Sequence, residues 1–250
     1  GLLASPHLTD TFPVLAAYFP NGLHMPLWVI VPLGAALAGV FGMLLGAPTL
    51  KLRGDYLAIV TLGFGEIIRV FMNNLDHPVN ITNGPQGITR IDPIQVGGMS
   101  LNKTYEFMGL TFAPVHCYYF VFLLCALATI VISLRLENSR IGRAWQAIRE
   151  DEISAASLGI DCRAWKVFAF GIGAAIAGAA GCFYASFVGT LVPDAFNIVE
   201  SFTMMAMVIV GGMGTMIGPV IGAVLLTFLP ELLRGFGELR LMVYGLALTL

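Results

Sequence analysis

The sequence predicts an all-α fold, a polytopic transmembrane helix bundle with a water-facing helical insert. Three observations predict it. Only 11% of the 250 residues are charged and 57% are hydrophobic, with a mean hydropathy of +0.84, whereas about a quarter of an average soluble domain is charged. The charges are also bunched: Asp10 to Lys51, Glu106 to Arg135, Lys166 to Asp194 and Glu200 to Glu231 each enclose a stretch free of Asp, Glu, Lys and Arg. Each stretch is long enough for a membrane-crossing helix, which takes roughly 20 apolar residues. Finally, one segment, Arg135 to Lys166, has the opposite character, setting six basic residues against Glu137, Glu150, Asp151, Glu152 and Asp161.

The first span runs from about His24 to Ala47, where Gly34, Ala35, Ala38, Gly39, Gly42 and Gly46 are mixed with larger apolar residues. Small residues let helix backbones approach closely inside lipid. After the basic link Lys51-Leu52-Arg53, Asp55 is placed to cap a helix over about Tyr56 to Asn73. From Asn74 to Ala113 turn formers dominate, and Asn83-Gly84-Pro85 and Asp92-Pro93 make this a loop. Val115 to Leu134 reads as a plain span with Tyr118, Tyr119, Phe120 and Phe122 near one end, as an interfacial aromatic belt. Val167 to Val188 again carries a small-residue face: Gly171, Gly173, Ala174, Ala177, Gly178 and Gly181. Beyond the turn at Pro193-Asp194, Phe202 to Val210 leads into Gly211-Gly212-Met213-Gly214, Ile217 to Leu233 makes another span, and a last one begins near Leu241. The count is about six membrane segments in one domain, 1–250, with the insert at 135–166.

Basic residues mark the cytoplasmic side of short loops. Lys51, Arg53 and the insert are therefore expected inside and Asn74–Ala113 outside, with Arg234 and Arg240 falling outside against the rule. The chain begins Gly1-Leu2-Leu3, without Met or a basic leader, and stops at Leu250 inside an apolar run, so a fragment cut at both ends is expected.

Within the insert, Ser139 is placed to cap a helix whose Ile141, Ala144, Trp145 and Ile148 share one apolar face. Arg143, Arg149 and Glu150 lie opposite, and the helix is expected to end around Gly159 after Glu152-Ile153-Ser154-Ala155-Ala156-Ser157-Leu158. An amphipathic helix-turn between two spans is either a docking surface or a solvated connector resting on the bilayer. Glu66 and Arg69, three apart on one helix face, form either an intramembrane ion pair or a pair that snorkels to water near the helix end. Gly63 and Gly65 permit a broken or closely packed helix beside a transport path. Gly211, Gly212 and Gly214, like Thr82-Asn83-Gly84-Pro85-Gln86-Gly87, are either gates at membrane depth or simple turns.

Some chemistry is missing from the pattern. No lysine stands in a GxxxxGK[ST] phosphate loop, the four histidines have no HxxxH or HExxH spacing, and no GxSxG occurs. The four cysteines have no CxxC spacing. We therefore expect no catalytic residues, no disulfide, no metal and no cofactor. A net charge of −2 without a basic patch sets nucleic acid aside.

Three stretches together carry a resemblance: Leu52 through Arg69, Gly142-Arg143-Ala144 leading to Ile148-Arg149-Glu150-Asp151-Glu152, and Gly211-Gly212-Met213-Gly214. From about residue 33 onward the chain resembles the LivM-type permeases of branched-chain amino-acid ABC importers. The resemblance implies an inner-membrane subunit that pairs with a second permease, receives leucine, isoleucine or valine from a periplasmic binding protein, and is driven by two cytoplasmic ATP-binding subunits. It makes the insert a cytoplasmic coupling-helix segment, with Arg143, Ala144, Arg149, Glu150, Asp151, Glu152, Ala155, Ala156 and Gly159 toward the ATPase. The substrate path is assigned to Gly63, Gly65, Glu66, Arg69, Asn83, Gly84, Gly211, Gly212 and Gly214. The family's leading spans and its Arg-Pro-x-Gly tail are expected beyond the two ends of this fragment, and its Thr-Gly-Gly-Pro loop reads Thr82-Asn83-Gly84-Pro85. The alternatives are a related permease for urea, short amides or other amino acids, and an ion-gradient-driven secondary transporter, which would carry midplane carboxylates away from helix ends.

Overall fold

The computed structural model describes residues 2–7, 11–12, 24–50, 55–77, 80–96, 99–102, 104–107, 110–212, 214–215 and 217–232. The Lys51–Arg53 link, Met213, Arg234, Arg240 and the span expected from Leu241 lie outside them. The chain forms two compact units, 1–195 and 196–250.

In the first unit, α1 (Leu27–Thr49) and α2 (Asp55–Asn73) precede a connector that holds β1 (Gln95–Val96), β2 (Met99–Ser100), β3 (Tyr105–Phe107) and β4 (Leu110–Phe112). The strands pair as two antiparallel hairpins, β1 with β2 and β3 with β4. Then come α3 (Pro114–Glu137), α4 (Arg140–Glu150), α5 (Glu152–Ser157) and α6 (Cys162–Val188). Strands of two or three residues, absent from the expected loop, leave the all-α bundle unchanged. Helices α1, α3 and α6 and the stretch Pro193–Gly211 are each long and apolar enough to cross a membrane. At 1.5 Å per residue, the 23 residues of α1 reach about 35 Å against a hydrocarbon core of about 30 Å. Trp28, Leu37, Phe41 and Leu44 on α1 and Leu124, Leu127 and Val131 on α3 are exposed, as apolar side chains facing lipid or another membrane helix would be.

The centre of this unit is the antiparallel pair α1–α6, which the small residues bring together. A Cβ on Gly34 would sit 2.5 Å from Cys182 Sγ, one on Gly39 3.2 Å from the Gly171 carbonyl, and one on Gly178 2.5 Å from Ala38 Cβ. At the loop end, Ile30 and Ala185 of this pair form a small core with Ala4 and Ile91, and Ile94 and Leu101 of the connector bury Tyr118 of α3. Tyr118 donates to the Ser186 carbonyl at 3.3 Å and meets Phe187 edge to face. Tyr118 is thus buried, while its neighbours Tyr119 and Phe120 stay exposed.

Two expectations are corrected. Helix α2 runs unbroken through Gly63 and Gly65, and a Cβ at either would have nothing within 4 Å, so among the described residues these glycines neither break the helix nor serve close packing. The insert is not one helix up to Gly159. It stops at Glu150 and restarts at Glu152, because the Asp151 carboxylate accepts the Ile153 N–H (2.9 Å) and the Ser154 hydroxyl (2.8 Å) and so begins a new helix.

The second unit is a helical hairpin. Asn197 caps α7 (Ile198–Gly211) by accepting the Glu200 N–H at 3.0 Å, and α8 (Ile217–Leu232) returns antiparallel.

Candidate functional site

At the insert end, local sequence builds a stiff helix-turn. The Ser139 hydroxyl accepts the N–H groups of Ile141 (3.1 Å) and Gly142 (3.3 Å), starting α4 directly after α3. Gly142 is buried where any Cβ would overlap the Glu137 carbonyl, so this corner requires glycine. Asp151 then starts α5, and its two hydrogen bonds, chiefly that from Ser154, hold its carboxyl below the ordinary aspartate value of 3.8. The turn that closes α5 is made by Gly159, with φ 84°, where the Ile160 N–H reaches the Ala155 carbonyl (3.1 Å) and the Gly159 N–H reaches that of Ala156 (3.0 Å). This is the Schellman closure, in which a left-handed residue satisfies the last helical carbonyls.

Aromatic and charged contacts fasten the helix-turn to α6. Trp145 Nε1 donates to the Trp165 carbonyl at 2.9 Å, and both indoles pack on Phe168. Lys166 pairs with Glu152 at 2.5 Å. The outer face shows Arg143, Arg149, Glu150, Asp151 and Ala156 to solvent, whereas Ala155 is buried in its own chain and Ala144 is half-buried. The most exposed apolar side chains here are Ile153 (79%) and Leu158 (81%), which sequence reading passed over. Their signal was available: two apolar residues standing in a run of Glu, Ser and Ala.

At the loop end, Arg69 holds two carboxylates at once. Its Nε (3.1 Å) and Nη2 donate to Glu66 one turn earlier, and its Nη1 donates to Asp194 Oδ1 at 2.7 Å. Asn73 adds its amide N–H to the same Asp194 oxygen at 3.3 Å. Asp194 lies 125 positions from Arg69, and nothing local announces it. The Thr82–Gly87 turn is tied to both partners of this contact. Thr82 donates to the Met72 carbonyl near the end of α2 (2.7 Å), while Ile88 and Leu191 exchange both backbone hydrogen bonds at 2.8 Å. Asn83 is left-handed (φ 61°) and donates to the Gly87 carbonyl at 3.1 Å, and Gly84 stands against Asn73 and Asp76.

The structure therefore gathers Glu66 and Arg69 with Asp194 and seats the Asn83–Gly84 turn on the end of α2. Gly63 and Gly65 lie earlier on α2. Gly211, Gly212 and Gly214 belong to the hairpin of the second unit. There, a Cβ on Gly211 would overlap the Gly218 carbonyl, and Gly212 (φ 97°) and Gly214 (φ 102°) make the turn.

Residues 11–250 match the family described as "Branched-chain amino acid transport system / permease component". The chain is 40% identical to the "High-affinity branched-chain amino acid transport system permease protein LivM" of Escherichia coli (strain K12), over 94% of this chain and 56% of the relative. Against the protein of the same description from Salmonella typhimurium it is 39% identical over the same shares. Against the "Probable branched-chain amino acid transport permease protein LivM" of Methanocaldococcus jannaschii it is 30% identical, over 77% of this chain and 53% of the relative. The chain thus spans about half the length of the curated relatives it matches. No solved structure matches it. On the family match over residues 11–250, with four stretches able to cross a membrane, this multi-pass membrane chain belongs to the branched-chain amino acid transport system permease components.

Proposed function

We propose that this chain is the membrane-spanning permease part of an ATP-driven importer that passes leucine, isoleucine or valine across the inner membrane of a cell by alternating access. Both compact units belong to one permease domain in this reading. A second permease pairs with it, a periplasmic binding protein delivers the amino acid at the loop end, and two ATP-binding subunits hydrolyse ATP at the insert end, which faces the cytoplasm. The observation that carries the proposal is the insert: two capped helices held to α6 by Trp145 and Lys166, with Ile153 and Leu158 left bare. Rigid backing with an exposed apolar tip is what a partner needs in order to push on a helix, because a solvated connector would absorb the displacement.

The test is at Gly159, whose left-handed backbone admits a β-branched residue only at a cost of about 1–2 kcal/mol. Space is not the obstacle, since a Cβ there meets nothing within 4 Å. In vesicles holding the complete transporter, Gly159→Val should lower both leucine uptake and ATPase stimulation by loaded binding protein while its abundance in the membrane holds. Wild-type values of both would refute the coupling role.

A further inference from the structure

We propose that Arg69, Asp194 and Asn73 form a subsite for the charged end of an α-amino acid, with the carboxylate on the guanidinium and the ammonium between Asp194 and the Asn73 amide oxygen. The proposal rests on the reading that this chain passes amino acids, and adds to it the place where their common end is held. Charge is the first reason. Two carboxylates, Glu66 and Asp194, share one guanidinium, so the cluster carries a net −1. Donors are the second. A guanidinium has five N–H groups; Glu66 engages Nε and Nη2 and Asp194 one N–H of Nη1, so the other N–H of each Nη has no acceptor among the described residues.

The third reason is an orphan. Asn73 Oδ1 is buried without a hydrogen-bond partner among the described residues, although the same side chain's amide nitrogen lies 3.3 Å from Asp194 Oδ1. A buried acceptor left unmade is costly; the amide would turn over on ligand binding to bring this oxygen, sealed from solvent in the present rotamer, beside the surplus carboxylate, where it suits a positively charged N–H donor. The cluster is also open, with side-chain exposures of 27% for Arg69 and 62% for Asp194. A zwitterion satisfies all three conditions: its positive end meets the surplus charge and the orphan, and its negative end meets the spare N–H groups. A lone carboxylate would be repelled by the net −1, and a lone amine would leave the guanidinium unmet. Glu66 positions Arg69 and touches no ligand in this arrangement. The subsite reads the end that all α-amino acids share and leaves the side chain unread.

The test uses the complete transporter in lipid nanodiscs, without ATP or binding protein, titrated calorimetrically with L-leucine, 4-methylpentanoate and 3-methylbutylamine. Leucine should bind, and each singly charged analogue should bind at least about tenfold more weakly. Asp194→Asn should weaken leucine at least about tenfold, Asn73→Ala somewhat less, and Asp194→Glu, which keeps the charge, less than Asp194→Asn. Melting temperature without ligand confirms that each variant is assembled. Equal binding of leucine and either analogue, no leucine binding by the wild type, or leucine affinity unchanged in Asp194→Asn would overturn the subsite. ATP-driven uptake by the wild type is scored separately. Its absence defeats the importer reading, whereas normal uptake with unchanged binding by Asp194→Asn defeats the subsite alone.

Discussion

Helices α1 and α2 are both studded with glycine and spend it differently. On α1 every glycine that faces α6 is there because the partner backbone or a small side chain occupies the space of the missing Cβ, from Gly34 against Cys182 to Gly46 against Phe170. On α2, Gly63 and Gly65 face open space, and the helix is held to the unit at its loop end by Arg69, Thr82 and the Asn83–Gly84 turn. Inside a bilayer, apolar burial does not drive helices together, so shape and polar contacts must. The first pair is joined by shape along its length, the second helix by polar contacts at one end. A helix joined in the second way leaves its two glycines, which lie on opposite sides of it, open to another membrane helix.

The largest expected effect breaks the first kind of joint. Gly178→Leu forces a side chain into Ala38 Cβ and the Gly34 carbonyl, which lie 2.5 and 2.9 Å from the Cβ position. Backbone cannot yield as a side-chain tip does, so destabilisation should reach the upper end of the usual 1–3 kcal/mol overpacking cost. Membrane abundance and melting temperature in detergent measure it, and a near-wild-type protein would mean that α1 and α6 are not joined by shape.

A smaller effect of opposite sign sharpens the contrast. Gly63→Ala with Gly65→Ala should stabilise the isolated chain, because each exchange removes a helix penalty of about 0.5–1 kcal/mol and meets no neighbour. If the same variant loses assembly with a second permease while remaining stable alone, one or both glycines are a partner's contact. If it is destabilised alone, α2 is packed by shape after all.

The smallest expected effect concerns pH. The Asp151 carboxyl is held below its ordinary value by Ser154 and the Ile153 N–H, so its contribution is present above the ordinary value of 3.8 and is lost as pH falls through the lower folded value. Protection of the Ile153 and Ser154 amides, taken against their intrinsic exchange rate at each pH, should therefore fall only in strongly acidic buffer, while the shape-joined α1–α6 amides remain protected. Protection lost already near pH 6 would show that the cap does not begin α5.

Much of this architecture was legible in local pattern. The charge-free stretches located α1, α3, α6 and the Pro193–Gly211 stretch, Ser139 announced its cap, and Glu66 and Arg69 at a spacing of three announced their pair. These are interactions between near neighbours, whose geometry a helix dictates. Asp194 was not legible, because its bond to Arg69 depends on how the connector after α6 returns across the loop end. The Trp145–Trp165 contact was hidden for a related reason: two amphipathic readings, bilayer surface and protein surface, fit the same residues until α6 is in place. The break at Asp151 had a local sign, an acidic residue with Ser three positions on, but the apolar periodicity running past it suggested one continuous helix. At Gly63 and Gly65 the pattern does not discriminate, since small residues look alike whether or not a neighbour packs against them.

The indole contact at the base of the insert also supplies an optical probe. The chain holds three tryptophans, and two of them, Trp145 and Trp165, meet around Phe168 at the joint between insert and span. The third, Trp28, is exposed in the first turn of α1. With Trp28→Phe, the indole emission of this chain would come only from that joint, so a rearrangement of the helix-turn would register as a change in colour or quenching without any attached dye. Such a variant would make any rearrangement at this joint visible in ultraviolet light.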